Sequence, residues 1–312
     1  MSRLTYPLGE TGVGAVPLFE PALGYIAGLD ALVVKMTNGD SGHPETIFWS
    51  KHMTTTNPYA NHPTGDIEGS WVTCWYMAGN PSQGDLPTSG APVKVCTSST
   101  SGALPFTPAG GNRDKFIVQS FMTTPGRTSY NGAIRGYDRL LHGYVDSQVT
   151  TAQTIGGAIT RNVGGAGNFN FIEHVGDLGG TIRSCTISYT NQDGTAGRSC
   201  IVRIAGNAPQ IYRAPNLWRI GSLQAGDTGV RSIQSATMDA VTATAGYTVV
   251  GIGTPLFLAS EDAKAAQAVS TSIANGAGGM IGKVNPDACI ALARMGSATT
   301  CVAFGGISMV EA

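Results

Sequence analysis

The chain has 312 residues, 42% of them apolar and only 12% charged, with a formal net charge of −1. That length allows one large β domain or two smaller ones, and the apolar share supplies a core and excludes general disorder. With no run of Lys or Arg, nucleic-acid binding is disfavoured, because neutralising phosphates needs a basic stripe.

The charged share is about half the usual value of roughly 25%. Gly, Ser, Thr and Ala fill much of the remainder, so the surface is expected to carry hydroxyls and backbone amides. Such a surface has little charge repulsion to keep copies apart, which suits a subunit packed among neighbours. The first residues run into Glu10 and Glu20 without an apolar signal core, so no secretory leader is expected. The most apolar stretch, Gly246 to Ala259, is too short for a membrane span and is broken by Gly251, Gly253 and Pro255. The expectation is a soluble chain made in a cytoplasm, with no membrane partner.

In chain order, the first predicted strand is Ala31–Met36. Gly39-Asp40-Ser41-Gly42-His43-Pro44 follows. It is similar to the nucleophile stretch of serine proteases, but there His and Asp precede the Ser, and no histidine precedes His43 here. A turn is the reading that remains. His43, His52 and His62 share a polar stretch with Glu45, Asp66 and Glu68, but spacings of nine and ten match neither a helical face nor a ligand motif, so no metal site is assigned. Trp49, Tyr59, Trp71, Trp75 and Tyr76 could line a sugar-binding surface; core and interface packing is the stronger expectation.

Further strands are predicted at Ser70–Met77, Pro92–Thr97 and Lys115–Met122. Pro125 to Tyr137 reads as a connector and Gly156 to Gly167 as a Gly-rich loop. The chain is therefore divided near residue 140, into a β-rich N-terminal region (1–140) suited to attachment or interface contacts and a C-terminal sandwich-like domain (141–312). None of the Gly-rich pieces forms a dinucleotide or phosphate loop, so no cofactor is assigned.

The clearest local pattern is a hairpin pairing Thr181–Thr190 with Arg198–Ala205. With Asn191 to Gly194 as the loop, Thr190 faces Thr195 and Cys185 faces Cys200, where a disulfide is allowed but not required. All six cysteines are far apart, with no C-x-x-C, and buried free thiols are the expectation. Gly226-Asp227-Thr228-Gly229 reads as a turn delivering the strand Gly229–Met238, in which Val230, Ser232, Gln234 and Ala236 alternate with Arg231, Ile233, Ser235 and Thr237. Arg198 and Arg231 are expected to tie these turns to Asp193 and Asp227. Strands at Tyr247–Leu258, Ala288–Met295 and Thr300–Val310 complete the set. One helix is predicted from Ser260, its cap, through Glu261 and Asp262 to a stop at Asn275-Gly276. The predicted fold is mainly β, a sandwich or jelly-roll of antiparallel sheets with that one short helix.

The stretches Thr186-Ile187-Ser188-Tyr189-Thr190-Asn191-Gln192-Asp193-Gly194-Thr195-Ala196-Gly197-Arg198 and Ala225-Gly226-Asp227-Thr228-Gly229-Val230-Arg231-Ser232-Ile233-Gln234-Ser235 resemble a pattern of virion structural proteins of tailed phages. Tyr137-Asp138-Arg139-Leu140 and Val149-Thr150-Thr151-Ala152-Gln153-Thr154 fit the same layout, so the resemblance spans residues 135 to 260. It implies a particle component. The leading reading is a non-enzymatic head protein that decorates or cements the capsid as a homo-oligomer, with a trimer as the working state and the major capsid protein or other virion proteins as partners. It carries over no catalytic, cofactor or metal residues. The alternatives are a tail or fibre component, and a host-recognition protein that binds or cleaves carbohydrate with two carboxylates in a groove beside Trp71 or Trp75.

Overall fold

The computed structural model describes residues 45–53, 71–109, 113–123, 132–175, 178–179, 181, 183–205, 217–262, 267–272, 282–295 and 301–311. Their regular elements are all strands. The first group is β1 (Glu45–Met53), β2 (Trp71–Thr73), β3 (Ala78–Asn80), β4 (Val93–Val95), β5 (Lys115–Thr123) and β6 (Gly132–Asp146). There follow β7 (Gln153–Thr154), β8 (Phe169–Val175), β9 (Arg183–Asn191), β10 (Arg198–Ala205), β11 (Trp218–Ile220) and β12 (Val230–Met238). The last are β13 (Tyr247–Asp262), β14 (Gln267–Ser272), β15 (Lys283–Val284), β16 (Ile290–Met295) and β17 (Cys301–Glu311).

Two long strands form the spine. β6 and β13 pair antiparallel from Tyr247↔Asp146 to Glu261↔Gly132, with irregularities at Ile252/Gly253 and Pro255/Phe257. Pro255 has no N–H for a ladder, and it sits at one of those irregularities, where the loss is tolerated. β8 adds to the first half of β13 and β11 adds to β8. β4 and β16 add to opposite halves of the free edge of β6. The sheet continues through β14, β5, β17 and β1 to β3.

A second sheet, in the order β10-β9-β12-β7, packs on the spine. Its inner side chains Cys185, Ile187, Tyr189, Val202, Ile233 and Met238 meet Leu140, Leu141, Val145, Ile172 and Val250 of the large sheet, forming the core of a sandwich. The other side of the spine is covered too, by Trp75, Tyr76, Tyr137, Phe171 and Trp218. This explains why every residue of β8 is buried: a strand covered on both faces shows no alternation. Burying each large apolar side chain stabilises the fold by about 1.5–3 kcal/mol.

The mainly β, antiparallel sandwich agrees with the sequence reading, with four corrections. The first concerns the helix. Ser260 to Asp262 end β13, and Glu261 and Asp262 pair with Ala268 and Gln267 of β14. Within 260–276 the described residues are strand, because sheet pairing overrides the helical propensity of an Ala-rich segment. Residues 263–266 and 273–276 lie outside the described residues.

The second correction is the connector. Gly132 to Tyr137 belong to β6, so residue 140 lies inside a 15-residue strand. Gly136 pairs directly with Phe257, and a Cβ there would lie 1.9 Å from the Phe257 ring. Its glycine makes room for a cross-strand aromatic ring and does not mark a turn.

Third, the hairpin register is two residues from the expected one: Ile187 faces Cys200 and Cys185 faces Val202. The loop is longer than four residues. The Asn191 side-chain oxygen accepts the N–H groups of Asp193 and Thr195, and Gly194 and Gly197 take φ of 84° and 74°, which closes the reversal at Arg198. Cys185 and Cys200 are therefore diagonal neighbours. Both are buried free thiols, as are Cys74, Cys96 and Cys289.

Fourth, β12 does not alternate as predicted. Irregularities at Val230/Ser232 and Ile233/Ser235 turn Val230, Ile233, Ala236 and Met238 inward. Of the two arginines, Arg198 reaches Asp227 at 2.9 Å, whereas Arg231 donates to the carbonyl of Val163 at 3.2 Å. Gly165 explains the second contact: with φ of 77°, it brings the Gly-rich loop against β12, and a Cβ there would lie 2.6 Å from Arg231 Cγ.

Candidate functional site

The structure scatters the residues that sequence reasoning singled out. The motif at 39–44, the strand at 31–36, Tyr59, His62, Asp66 and Glu68 lie outside the described residues. His52 lies on β1, and the Glu45 carboxylate caps the N–H of Thr107 and pairs with Lys115 at 2.6 Å. Trp49, Trp75 and Tyr76 are buried. The Trp75 indole donates to the carbonyl of Asp85 at 2.9 Å and lies against the Arg139 guanidinium at 4.5 Å, so it offers no platform to a sugar. Trp71 is half-buried and lines a cleft whose described residues include no carboxylate, and the burial of Trp75 counts against a sugar-cleaving groove beside it.

Two ion pairs are committed to the interior. Arg139 on β6 and Glu173 on β8 form a two-pronged pair, Nη1 to Oε1 at 2.8 Å and Nη2 to Oε2 at 2.7 Å, and neither side chain is exposed. Tyr76 donates to Glu173 Oε2 at 2.9 Å, and Arg139 Nε donates to His142 Nδ1 at 2.9 Å. Burial pushes the Glu173 carboxyl up, but the Arg139 charge and the hydrogen bonds from Arg139, Thr73 and Tyr76 bring it below its ordinary value. Burial and the Glu173 carboxylate push the Tyr76 phenol far up, so it stays a donor. Beside this group, Arg161 grips Asp138 at 2.9 and 2.8 Å, and Asp138 also accepts the N–H of Cys289 at 2.8 Å. The first pair links β6 to β8 and the second links the 155–168 loop to β6, and both are buried. In the sequence three of the four lie beside apolar residues, in Tyr137-Asp138-Arg139-Leu140 and Ile172-Glu173-His174-Val175, and charges in such a setting are the signal that could have marked them.

The outer face of the small sheet has the opposite character. On β9, Ser184, Thr186, Ser188 and Thr190 alternate with buried residues. Ser188 donates to Gln234 at 2.8 Å, and Gln234 donates to Thr190 at 3.2 Å. Ser199, Ile201 and Arg203 of edge strand β10 continue this face, and Ile201 is 70% exposed. One end is anchored by Asp227, which accepts from Tyr189 at 2.6 Å, Asn191 at 2.8 Å and Arg198 at 2.9 Å. The Arg198 hydrogen bond leads the effects that hold its carboxyl down to about 2.

Where β10 approaches the large sheet, a cleft of about 420 Å³ opens between β10, β2, β6 and β11. Among the described residues its lining includes Trp71, Trp218, Arg135, Arg203, Arg219 and Ser222, and no Asp, Glu, Asn or Gln. The Arg135 guanidinium lies 4.7 Å from the Trp71 ring centre and 5.6 Å from that of Trp218.

These features define a mainly β, two-sheet protein that buries the Arg139–Glu173 and Arg161–Asp138 pairs and shows a hydroxyl-bearing sheet face and an arginine-lined cleft outside. No family model and no curated protein matches the chain. Among solved structures, a mutant VP2 protein of infectious bursal disease virus in derived T=1 particles is similar over 86% of this chain and 77% of that chain, at 9% identity and a TM-score of 0.17. The VP2 subviral particle of the same virus is similar over 86% and 80%, at 11% identity and a TM-score of 0.16. At such scores the backbones do not superpose as one fold, and the likeness decides neither family nor function.

Proposed function

We propose that this chain is a structural subunit of a virus particle, acting by packing against its neighbours and not by catalysis. The observation that carries this reading is the contrast just described: the sequence holds few charges, and several of them are buried, as in Lys115, Asp138, Arg139, Arg161, Glu173 and Glu311. The outer face of the small sheet bears Ser184, Thr186, Ser188 and Thr190 and ends in the edge strand β10. Such a face has little charge repulsion and exchanges hydrogen bonds readily with a like surface. Many weak contacts of this kind become strong through copy number.

The finer reading is a tailed-phage head protein that decorates or cements the capsid, as a homo-oligomer with a trimer as the working state, alongside the major capsid protein. It rests on the two stretches 186–198 and 225–235, which build the Asp227-anchored hairpin and the strand beside it. Electron microscopy of purified particles, with the chain located in the map, tests it. Density for the chain on the outer head surface is expected. Density on the tail would move the subunit there, and particles lacking the chain would refute the particle reading.

A further inference from the structure

The cleft between the two sheets is the most chemically distinctive surface among the described residues. Arg135, Arg203 and Arg219 line it, and no carboxylate is among its described lining residues. Arg135 is the central one. No described carboxylate pairs with it, unlike Arg139, Arg161 and Arg198, each of which meets an acid. Its contacts with the rings of Trp71 and Trp218 hold the guanidinium in place. Burial lowers its pKa, and no described carboxylate acts against that.

The remaining lining narrows the ligand. Ile201 and Ile220 are large apolar residues that are 70% and 40% exposed, and they sit at the same cleft. The described lining holds no amide or carboxylate side chain to accept sugar hydroxyls, and Arg135 lies over the Trp71 ring on which a sugar would stack. A carboxylate side chain next to an apolar one matches what is present: two-pronged acceptance of the guanidinium fork, and apolar contact with the isoleucines.

We infer that this cleft binds an acidic peptide segment of a partner chain, with a Glu or Asp carboxylate on Arg135 and an adjacent apolar side chain on Ile201 and Ile220. Binding by the isolated protein is expected whether or not the chain is a particle subunit.

The test titrates the full chain with an acetylated, amidated Leu-Glu-Leu-Glu peptide, its Leu-Gln-Leu-Gln counterpart, and glucuronate, reading tryptophan fluorescence and heat of binding. The acidic peptide should bind at least about tenfold more tightly than the other two, the step that corresponds to one charge-assisted contact. Its affinity should fall as salt rises. Arg135→Met, which keeps an apolar side chain against the indoles, should weaken it by about tenfold or more. Ser222→Glu places a competing carboxylate at the exposed rim without touching the core, and should have the same effect with an unchanged unfolding transition. Equal affinity for the Gln peptide, tighter binding of glucuronate, or wild-type binding by a folded Arg135→Met or Ser222→Glu protein would overturn the inference.

Discussion

Arg139 and Glu173 meet through two parallel hydrogen bonds of 2.8 and 2.7 Å with neither side chain exposed, so each is the partner the other needs in a site without water. Glu173→Gln should therefore cost about 3–5 kcal/mol, because it leaves a buried guanidinium without its counter-charge. Replacing both at once, as Arg139→Met with Glu173→Leu, should cost less than Glu173→Gln alone. Urea unfolding of the three proteins measures both. A double variant less stable than the single one would mean that the pair itself holds the spine together.

Gly136 faces Phe257 across the β6–β13 ladder, with no room for a methyl group. Gly136→Ala is expected to destabilise the fold by about 1–3 kcal/mol, the usual cost of overpacking. Adding Phe257→Leu should make the combined loss smaller than the sum of the two single losses, since the changes share one space. Additive losses in denaturant unfolding would contradict this packing.

Asp227 anchors the hairpin through Arg198, Asn191 and Tyr189, and its carboxyl is lowered from 3.8 to about 2. A group depressed in the folded state contributes stability that is fully present above its unfolded pKa and lost as pH falls through the folded one. Amide exchange of residues 191–198 should therefore accelerate as pH drops from about 4 towards 2, relative to strands elsewhere. Asp227→Asn should show the faster exchange at neutral pH and little further change on acidification.

Lys51 is buried and donates to the carbonyls of Pro81 at 2.8 Å and Met77 at 3.3 Å. Burial lowers its pKa from 10.5 to about 8. Between these values the unfolded chain binds a proton that the folded one does not, so this residue's contribution makes stability rise with pH in that window. Lys51→Met should remove that rise, which is read as the difference between the two proteins' unfolding free energies at pH 8 and about pH 10. Parallel pH profiles would contradict the assignment.

Much of the strand set was legible in the sequence because β-branched or apolar runs are bounded by turn residues, as in β9, β10, β13 and β16, and the alternation from Cys185 to Tyr189 marks the inner face of β9 directly. Strands without such a run, or opening on glycine, were not legible. β8 reads as a mixture of aromatics, Asn, Glu and His with no period, and β6 begins in glycine and contains charges that only the partner strand explains. The helix at 260–276 was misread because local propensity cannot show that β14 is waiting to pair. The cleft escaped notice for a similar reason: Trp71, Arg135, Arg203 and Trp218 are distant in sequence, and only the meeting of two sheets brings them together.

The central claim is that the exposed hydroxyl-rich sheet exists to pack against other chains, and sedimentation of the purified protein over a wide concentration range tests it most directly. Discrete self-association that strengthens with concentration, and is lost when Thr186 and Ser188 are both replaced by Lys, is the predicted result. A chain that stays monomeric at the highest concentration and fails to co-sediment with purified capsids or tails would contradict it.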